Sequence, residues 1–214
     1  MSEPENFETF SFSSNPDYHP SQQEIRKFKL NGEVSEKFKA KYREFKSLMD
    51  IEIKEFQTKY NSVSIRKHEQ VIKFYNSTDD YCELTPFFNV PISFAGITFI
   101  SSDQIVCFAK AIYSDDVVSA FKILIQTKSY YAHNYAKNID ECLNWDMIYY
   151  PIVYTATNYK FKNESMKEVL MKSSGRYLIY DSPRDSKLGI GRDGKGQNTL
   201  GIMLMMIRDS LCGN

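Results

Sequence analysis

Apolar residues recur at three- and four-residue steps between Ser35 and Tyr60, with lysines between them. This spacing puts the apolar side chains on one face of a helix, so the pattern predicts a long amphipathic helix over residues 35–60. The opposite, lysine-rich face is typical of a solvated helix surface, with nucleic-acid contact as the alternative. The apolar positions are Phe38, Tyr42, Phe45, Met49, Ile53, Phe56 and Tyr60.

Beyond residue 70, short β-prone runs alternate with helical patterns. Val71 opens the strand-like run VIKFY, and Ala95-Gly96 between two short apolar runs predicts a hairpin. Ser101 or Ser102 is expected to cap a helix from about residue 103 to residue 113. A second helix follows, marked by Val117, Phe121, Leu124 and Ile125.

Pro151 interrupts a helical pattern that begins near Trp145. A proline inside a helix lacks an amide hydrogen and costs about 3 kcal/mol, so a kink or a restart is expected there. Asn163 is expected to cap a short helix through Met171, and Asn198 to cap a terminal helix. The apolar face of that last helix is Leu200, Met203, Leu204, Ile207 and Leu211.

Composition divides the chain into three parts. Residues 1–22 are rich in Ser, Asn, Pro and Glu, and we expect them to be mobile. Residues 23–68 are predicted to form a helical N-terminal extension, and residues 69–214 a single domain. The length of 214 residues suits one buried core plus such an extension. The predicted fold class is mainly α, with a few short β-strands.

Charge and cysteine use limit the function classes. The chain has 27 basic and 27 acidic residues, so no global field steers it onto nucleic acid or anionic lipid. Its four cysteines and three histidines are dispersed, which argues against a zinc site and against a disulfide framework. With the acidic start MSEPENFETF and no apolar run of membrane-spanning length, we expect a soluble cytoplasmic protein without a membrane partner.

The region Arg176–Leu211 has an interpretable order: a strand-like run, an acidic turn, a glycine-dense loop and an amphipathic helix. Bare backbone amides beside a helix N-terminus suit a phosphorylated or anionic ligand. Gly189, Gly191 and Gly194 form a G-x-G-x-x-G, but the loop does not directly follow the strand, so the Rossmann context fails. A P-loop is also disfavoured, because Gly196 occupies the metal-binding hydroxyl position. A loop that only reverses the chain is the alternative.

Five stretches, in order, make the chain similar to the NADAR family, also called YbiA-like. They are FYNSTDDY at 74–81, GITFISSDQIVCFAK at 96–110, NWD at 144–146, SPRDSKLGIG at 182–191 and GKGQNTLGIMLM at 194–205. The resemblance spreads over about two thirds of the chain, from Val71 to Leu211. Nothing before Val71 matches, so the resemblance assigns no role to the extension.

The resemblance implies a single NADAR/YbiA-like helical domain and an activity. That activity is hydrolysis of an N-glycosidic bond between a ribose carbon and a base or amine nitrogen. Family substrates include phosphorylated riboflavin-pathway intermediates and ADP-ribosylated guanine in DNA. The implied partner is therefore a small-molecule ribosyl phosphate or ADP-ribosyl substrate, with ADP-ribosylated nucleic acid as a further candidate. Neither a cofactor nor a metal is implied.

The resemblance also implies three catalytic residues. The family's catalytic glutamate and the lysine seven residues later align with Asp103 and Lys110, and the second acidic position aligns with Asp185. Seven residues are nearly two helical turns, so the first two side chains project from one face, about 10 Å apart along the axis. A carboxylate can move protons as the base leaves, while a neutral lysine can capture the anomeric carbon as an imine. An ordinary surface pair and a turn aspartate are the structural alternatives.

Five further residues are implied to bind the ligand. Trp145 falls on the family's tryptophan and is expected to stack on a base or ribose face, with a core role as the alternative. Gly189, Gly191 and Asn198 are expected to let backbone amides approach phosphate, with Lys195 as a nearby counter-charge.

The chain departs from the family pattern at several positions. Asp103 stands where a glutamate is usual, Gln104 replaces a histidine, Cys107 a glutamine and Leu188 a tryptophan. A catalytic carboxylate misplaced by about 1 Å can cost on the order of a hundredfold in rate. The leading hypothesis is a lysine-assisted N-glycosidase, and the alternative is a catalytically weakened module that binds ADP-ribose or a related nucleotide. A third hypothesis makes the 35–60 helix a partner-docking arm.

Overall fold

A computed structural model describes residues 17–59 and 70–212. Predictions that fall on residues 1–16, 60–69 and 213–214 lie outside the described residues. The elements are α1 (Gln22–Asn31), α2 (Glu36–Lys59), β1 (Gln70–Phe74), a 3₁₀ turn (Cys82–Leu84), β2 (Ile92–Phe94), β3 (Ile97–Phe99), α3 (Ser102–Tyr113), α4 (Val117–Leu124), α5 (Ser129–Ala136), α6 (Trp145–Lys160), α7 (Glu164–Lys172), β4 (Arg176–Tyr180) and α8 (Thr199–Leu211). The mainly helical fold with a few short strands is confirmed. Across the described ranges, no helix combines the length and apolar character needed to cross a membrane.

The helices before residue 60 pack on the rest of the fold. The buried face of α2 includes Phe38, Phe45 and Met49, and the Phe45 ring lies 4.8 Å from the ring of Phe108 in α3. The apolar face of the helix predicted over residues 35–60 is therefore buried in the common core. Residues 17–22, which the sequence placed in a mobile segment, also belong to the folded unit, because Tyr18 is 3% exposed and bridges to β3.

Two small sheets organise the strands. β2 and β3 form the predicted hairpin, whose turn residues Ala95 and Gly96 both have positive φ. β1 and β4 pair in parallel, with Gln70 opposite Arg176 and Phe74 opposite Tyr180. This second pairing joins strands about a hundred residues apart, and it positions the loop that follows β4.

The central helix is α3, which contacts α4, α5 and α6. Ser101 caps it by accepting a hydrogen bond from the amide of Gln104. The buried Gln104 side chain accepts from the Ile100 amide at 2.8 Å and donates to the Ile123 carbonyl at 2.9 Å. Gln104 therefore fixes the start of α3 against the end of α4. This contact also fixes the direction in which the following side chains of α3 project.

Two predictions about helix ends need correction. The helix around Pro151 does not restart, since α6 runs unbroken from Trp145 to Lys160, and burial of its face offsets the one hydrogen bond that proline removes. Asn198 occupies the N-cap position of α8, but its side chain does not cap the helix. It accepts from the Tyr180 amide and donates to the Leu178 carbonyl, both at 2.9 Å. The Asn198 side chain is therefore bonded to β4 and not to the first turn of α8.

Candidate active site

Asp103 and Lys110, which are seven residues apart, project from one face of α3. Asp103 and Lys110 both line a cavity of about 150 Å³, and Trp145 and Tyr149 of α6 lie on its wall. The side chain of Asp103 is 11% exposed and that of Lys110 is 15% exposed. The pair is therefore largely sheltered from water, unlike an ordinary surface pair at the same spacing.

The carboxylate of Asp103 is held by three neighbours. The Nδ1 atom of His133 lies 3.0 Å from Oδ1, and the Ser129 hydroxyl donates to Oδ2 at 3.3 Å. The thiol of Cys107, one turn along α3, donates to Oδ2 at 3.6 Å. Burial first, and then the negative charge of Asp103, raise the pKa of the Cys107 thiol well above its ordinary value. The thiol is thus a hydrogen-bond donor here and not a nucleophile.

The amine of Lys110 has a carboxylate partner. Its Nζ lies 3.3 Å from Oε1 of Glu141, which stands in the segment between α5 and α6. This ion pair joins a largely sheltered amine to a carboxylate whose side chain is 55% exposed. Glu141 therefore holds the Lys110 side chain at the edge of the cavity.

A second cavity of about 70 Å³ adjoins the first. The two share Asp103, Val106, His133 and Tyr149 as lining residues, and the second also contains Asp185. The Asp185 carboxylate accepts hydrogen bonds from the amides of Lys187 at 2.9 Å and Leu188 at 2.8 Å. We refer to the two cavities together as the α3 pocket.

Tyr149 lines both cavities of the α3 pocket. Burial chiefly, and then the negative charges of Asp185 and Asp103, raise the pKa of its phenol. Tyr180, at the end of β4, has its pKa raised by burial and by Asp185. Both hydroxyls therefore stay protonated at neutral pH and can donate hydrogen bonds to a bound sugar or base.

The only tryptophan also lies in the α3 pocket. Trp145 begins α6, is 6% exposed, and its ring centroid is 5.8 Å from that of Tyr149. Trp145 thus packs into the core with one part and faces the cavity with another. Both the stacking role and the core role considered for it fit this position.

In the glycine loop, residues 182–198, the four residues predicted to bind the ligand line neither cavity of the α3 pocket. A Cβ atom on Gly189 would lie 2.7 Å from the Tyr180 carbonyl oxygen, so this glycine permits close backbone packing. The Asn198 amide group is committed to β4, as described above, and Lys195 is exposed and lines neither cavity of the α3 pocket. Gly191 has φ 68° and lines a separate outer concavity of about 400 Å³.

The outer concavity is the part of the glycine loop that suits an anion. It opens to solvent and is lined by Pro183, Arg184, Ser186, Gly191, Arg192 and Asp193. Of the eight site residues predicted from sequence, the structure brings four together in the α3 pocket: Asp103, Lys110, Trp145 and Asp185. The other four lie in the glycine loop outside both cavities: Gly189, Gly191, Lys195 and Asn198.

Sequence reasoning missed His133, Ser129, Glu141 and Tyr149. The first two are carried by α5, a short helix of low amphipathicity that gave no clear periodic signal. The imidazole is the most informative of the four, because Gln104 occupies the position where the family pattern has a histidine. In this chain α5 brings an imidazole to Asp103 instead.

The same neighbourhood contains a possible set of metal ligands. One ligand atom each of Asp103, Cys107 and His133 lies within 4.8 Å of the others. The dispersed cysteines and histidines of the sequence gave no indication of this grouping.

The chain is similar to known proteins named for N-glycosidase activity and for riboflavin biosynthesis. The chain is 25% identical over 147 residues to the protein named N-glycosidase YbiA of Shigella boydii serotype 4 (strain Sb227), covering 67% of this chain and 89% of that protein. It is 26% identical over 153 residues to the riboflavin biosynthesis protein VVA0006 of Vibrio vulnificus (strain YJ016), covering 67% of this chain and 39% of that protein.

Structure and family comparisons agree. The NMR structure of the E. coli protein YbiA matches with a TM-score of 0.62 and 24% identity, over 70% of this chain and 89% of that chain, and therefore shares the fold. The profile of the NADAR domain matches residues 73–212, which span β1 to the end of α8. With the α3 pocket lying wholly inside that span, the chain belongs to the NADAR domain family.

Proposed function

We propose that the protein is an N-glycosidase that cleaves the bond between a ribose C1′ and a base or amine nitrogen. One observation carries the proposal: the sheltered amine of Lys110 and the carboxylate of Asp103 line a single cavity whose wall includes Trp145. Two relatives named for N-glycosidase activity and riboflavin biosynthesis support the reaction class.

We propose a ribosyl phosphate or an ADP-ribosyl conjugate, such as ADP-ribosylated guanine, as the substrate. The α3 pocket offers Trp145 and Tyr149 as aromatic surfaces on which a ribose or a base could stack. Asp185 and the protonated hydroxyls of Tyr149 and Tyr180 can accept from and donate to the ribose hydroxyl groups. Phosphate charge would be met at the outer concavity by Arg184 and Arg192.

In the first step, Lys110 gives its proton to Glu141, and the neutral amine attacks C1′ of the ribose. The C1′–N bond breaks, and its electron pair leaves with the nitrogen of the base. That nitrogen takes a proton from the hydrogen-bonded pair Asp103–His133, so the base departs neutral.

In the second step, the C1′–O4′ bond breaks and the ammonium nitrogen formed by the attack passes a proton to O4′, so that the opened sugar is left as an iminium ion on Lys110. Water adds to this carbon, and the C1′–N bond to the lysine breaks to release the phosphorylated sugar and the free amine. The Asp103–His133 pair, which gave its proton to the departing base, can accept the proton that the water loses.

Base release tests the activity. The protein would be incubated separately with ADP-ribosylated guanine and with a ribosylamino-pyrimidine phosphate, and the free base would be separated and quantified. Release that is abolished by Lys110→Ala supports the proposal. Release that is unaffected by Lys110→Ala contradicts the lysine mechanism, and absence of release from both substrates contradicts the proposed substrate class.

Borohydride trapping tests the intermediate. Reduction during turnover would convert the iminium ion to a stable secondary amine, and peptide mass mapping should place the added sugar on Lys110. An adduct elsewhere, or turnover without any adduct, would contradict covalent catalysis.

One observation favours a second candidate function, a weakened module that binds ADP-ribose or a related nucleotide. The Lys110 amine is paired with Glu141, and both Asp103 oxygens already have partners. Both groups would have to exchange partners before reacting. Calorimetric binding of ADP-ribose without any turnover of the two conjugates would favour this candidate, whereas turnover would exclude it.

A further inference from the structure

Asp103, Cys107 and His133 bring a carboxylate, a thiol and an imidazole to one point of the α3 pocket. The Asp103 carboxylate lies 3.0 Å from His133 Nδ1 and 3.6 Å from Cys107 Sγ. One ligand atom of each residue lies within 4.8 Å of the other two. From these contacts we infer that the three side chains form a binding site for a thiophilic divalent cation, of the class of Zn²⁺.

The separations suit a tetrahedral ion. Bonds of about 2.0–2.3 Å to nitrogen, oxygen and sulfur place ligand atoms roughly 3.3–3.8 Å apart in a tetrahedron. The separations of 3.0 Å and 3.6 Å from Asp103 lie in or near this range, and one ligand atom of each residue lies within 4.8 Å of the others. Asp103 and Cys107 are four residues apart on α3 and so share one face, while α5 presents His133 from the other side.

The surroundings also resemble those of an open metal site. All three residues line the larger cavity, so a fourth position would face space that water or a ligand can occupy. The Ser129 hydroxyl donates to Asp103 Oδ2 and would orient the carboxylate from behind. Partners of this kind, one step removed from the ligands, are a regular feature of metal sites.

The donor types, not the charge, select the cation. The larger cavity carries two carboxylates, Asp103 and Glu141, and two lysines, Lys110 and Lys137, so it has no excess of negative charge. A thiolate with an imidazole favours Zn²⁺, Co²⁺ or Cu ions over Mg²⁺ and Ca²⁺, which prefer oxygen ligands. Binding would release the Cys107 thiol proton to solvent and move the ring proton of His133 to Nε2.

Cobalt provides a direct spectroscopic test that does not depend on any enzymatic activity. Metal-free protein would be titrated with Co²⁺ under a reductant that does not bind metals. We expect saturation at a single ion per chain, a thiolate-to-cobalt charge-transfer band in the near ultraviolet, and visible bands as intense as those of four-coordinate cobalt. Zn²⁺ should bleach these bands, and excess Mg²⁺ should not.

Matched cysteine variants identify the sulfur. A chain with Cys82, Cys142 and Cys212 all replaced by serine keeps only Cys107 and should retain the charge-transfer band. Cys107→Ser alone should lose that band. His133→Gln should keep a weaker band and bind Co²⁺ more than about tenfold less tightly. If Cys107→Ser does not fold, the chain with Cys107 as its single cysteine and the His133→Gln variant still decide the question.

No charge-transfer band in the parent protein, or a band that survives in Cys107→Ser, would overturn the inference. One consequence rests on the proposed function: a bound ion occupies the Asp103 carboxylate, so Zn²⁺ should inhibit base release. A protein that binds Co²⁺ as described but never releases base would contradict the proposed function and leave the metal site standing.

Discussion

The glycine loop and the α3 pocket share Asp185 and Leu188 but differ in what most of their residues do. The loop is the more conspicuous in sequence, with its glycines, its two motif-like spacings and its position before a helix. In the structure Gly189 and Asn198 serve backbone packing against β4. The α3 pocket has no such motif, yet it holds three acidic residues, a sheltered lysine and an imidazole.

The two regions differ in whether their residues allow close backbone packing or bring titratable side chains together. Glycines are needed wherever backbones approach closely, so a glycine-rich loop is compatible with a purely structural role. Titratable side chains that are buried together cost free energy unless they are paired, so their grouping in the α3 pocket points to function.

The largest expected effect is on the side of the α3 pocket. Lys110→Ala should reduce base release by about 10³-fold or more, because it removes the proposed nucleophile. Lys167→Ala is the matched control, since Lys167 lies in a surface pair with Glu164 on α7. The rate would be measured as free base formed at saturating substrate. Equal rates in the two variants would contradict the proposed role of Lys110 as the nucleophile.

On the loop side, Asn198→Ala should lower the free energy of unfolding by about 2–4 kcal/mol. The change leaves the buried Tyr180 amide and Leu178 carbonyl without partners. Asn163→Ala, which removes an ordinary helix cap from α7, is the control and should cost about 1 kcal/mol. Urea unfolding measures both. An Asn198→Ala protein of unchanged stability but weakened phosphate binding would instead favour a direct role in ligand binding.

Gly189→Ala should lower the free energy of unfolding by about 1–3 kcal/mol, because the new Cβ would meet the carbonyl oxygens of Tyr180 and Asp185. Gly194→Asn is the comparison within the same loop. Gly194 has φ 71° with open space around it, and asparagine tolerates this conformation, so the cost should be below about 1 kcal/mol. Equal losses of stability in the two variants would show that the loop is not packed as described.

The last effect depends on pH and concerns the wall of the α3 pocket. Lys160 is buried and donates hydrogen bonds to the Glu83 and Thr85 carbonyls, just before the pocket residues Pro86 and Phe87. Burial lowers the pKa of Lys160 to about 7, against about 10.4 in the unfolded chain. Between these values the folded state binds fewer protons than the unfolded state, so stability should rise with pH and fall as pH drops towards 7.

Lys160→Met removes this contribution. The slope of unfolding free energy against pH should be lower in the variant by up to about 1.4 kcal/mol per pH unit between pH 7 and pH 10. Urea unfolding at several pH values measures both slopes, and taking their difference removes the contributions of other groups. Parallel slopes would contradict a neutral Lys160 in the folded protein.

Local patterns predicted local structure well. The three- and four-residue spacing around Phe45 predicted α2, the Ala95-Gly96 turn predicted the hairpin, and Ser101 caps α3 as expected. Errors arose where a distant segment competed with a local preference. Asn198 is the clearest case, since its side chain satisfies β4 and leaves its own helix uncapped.

By itself the sequence determined the helical face that carries Asp103 and Lys110, because seven residues span nearly two turns of any α-helix. It also carried the family resemblance from Val71 onward. Only the tertiary structure decided what meets that face: the packing of α5 and α6 on α3 brings His133, Tyr149 and Trp145 to it, and the pairing of β1 with β4 positions Asp185. Such contacts depend on packing between segments distant in the chain, and no local periodicity encodes them.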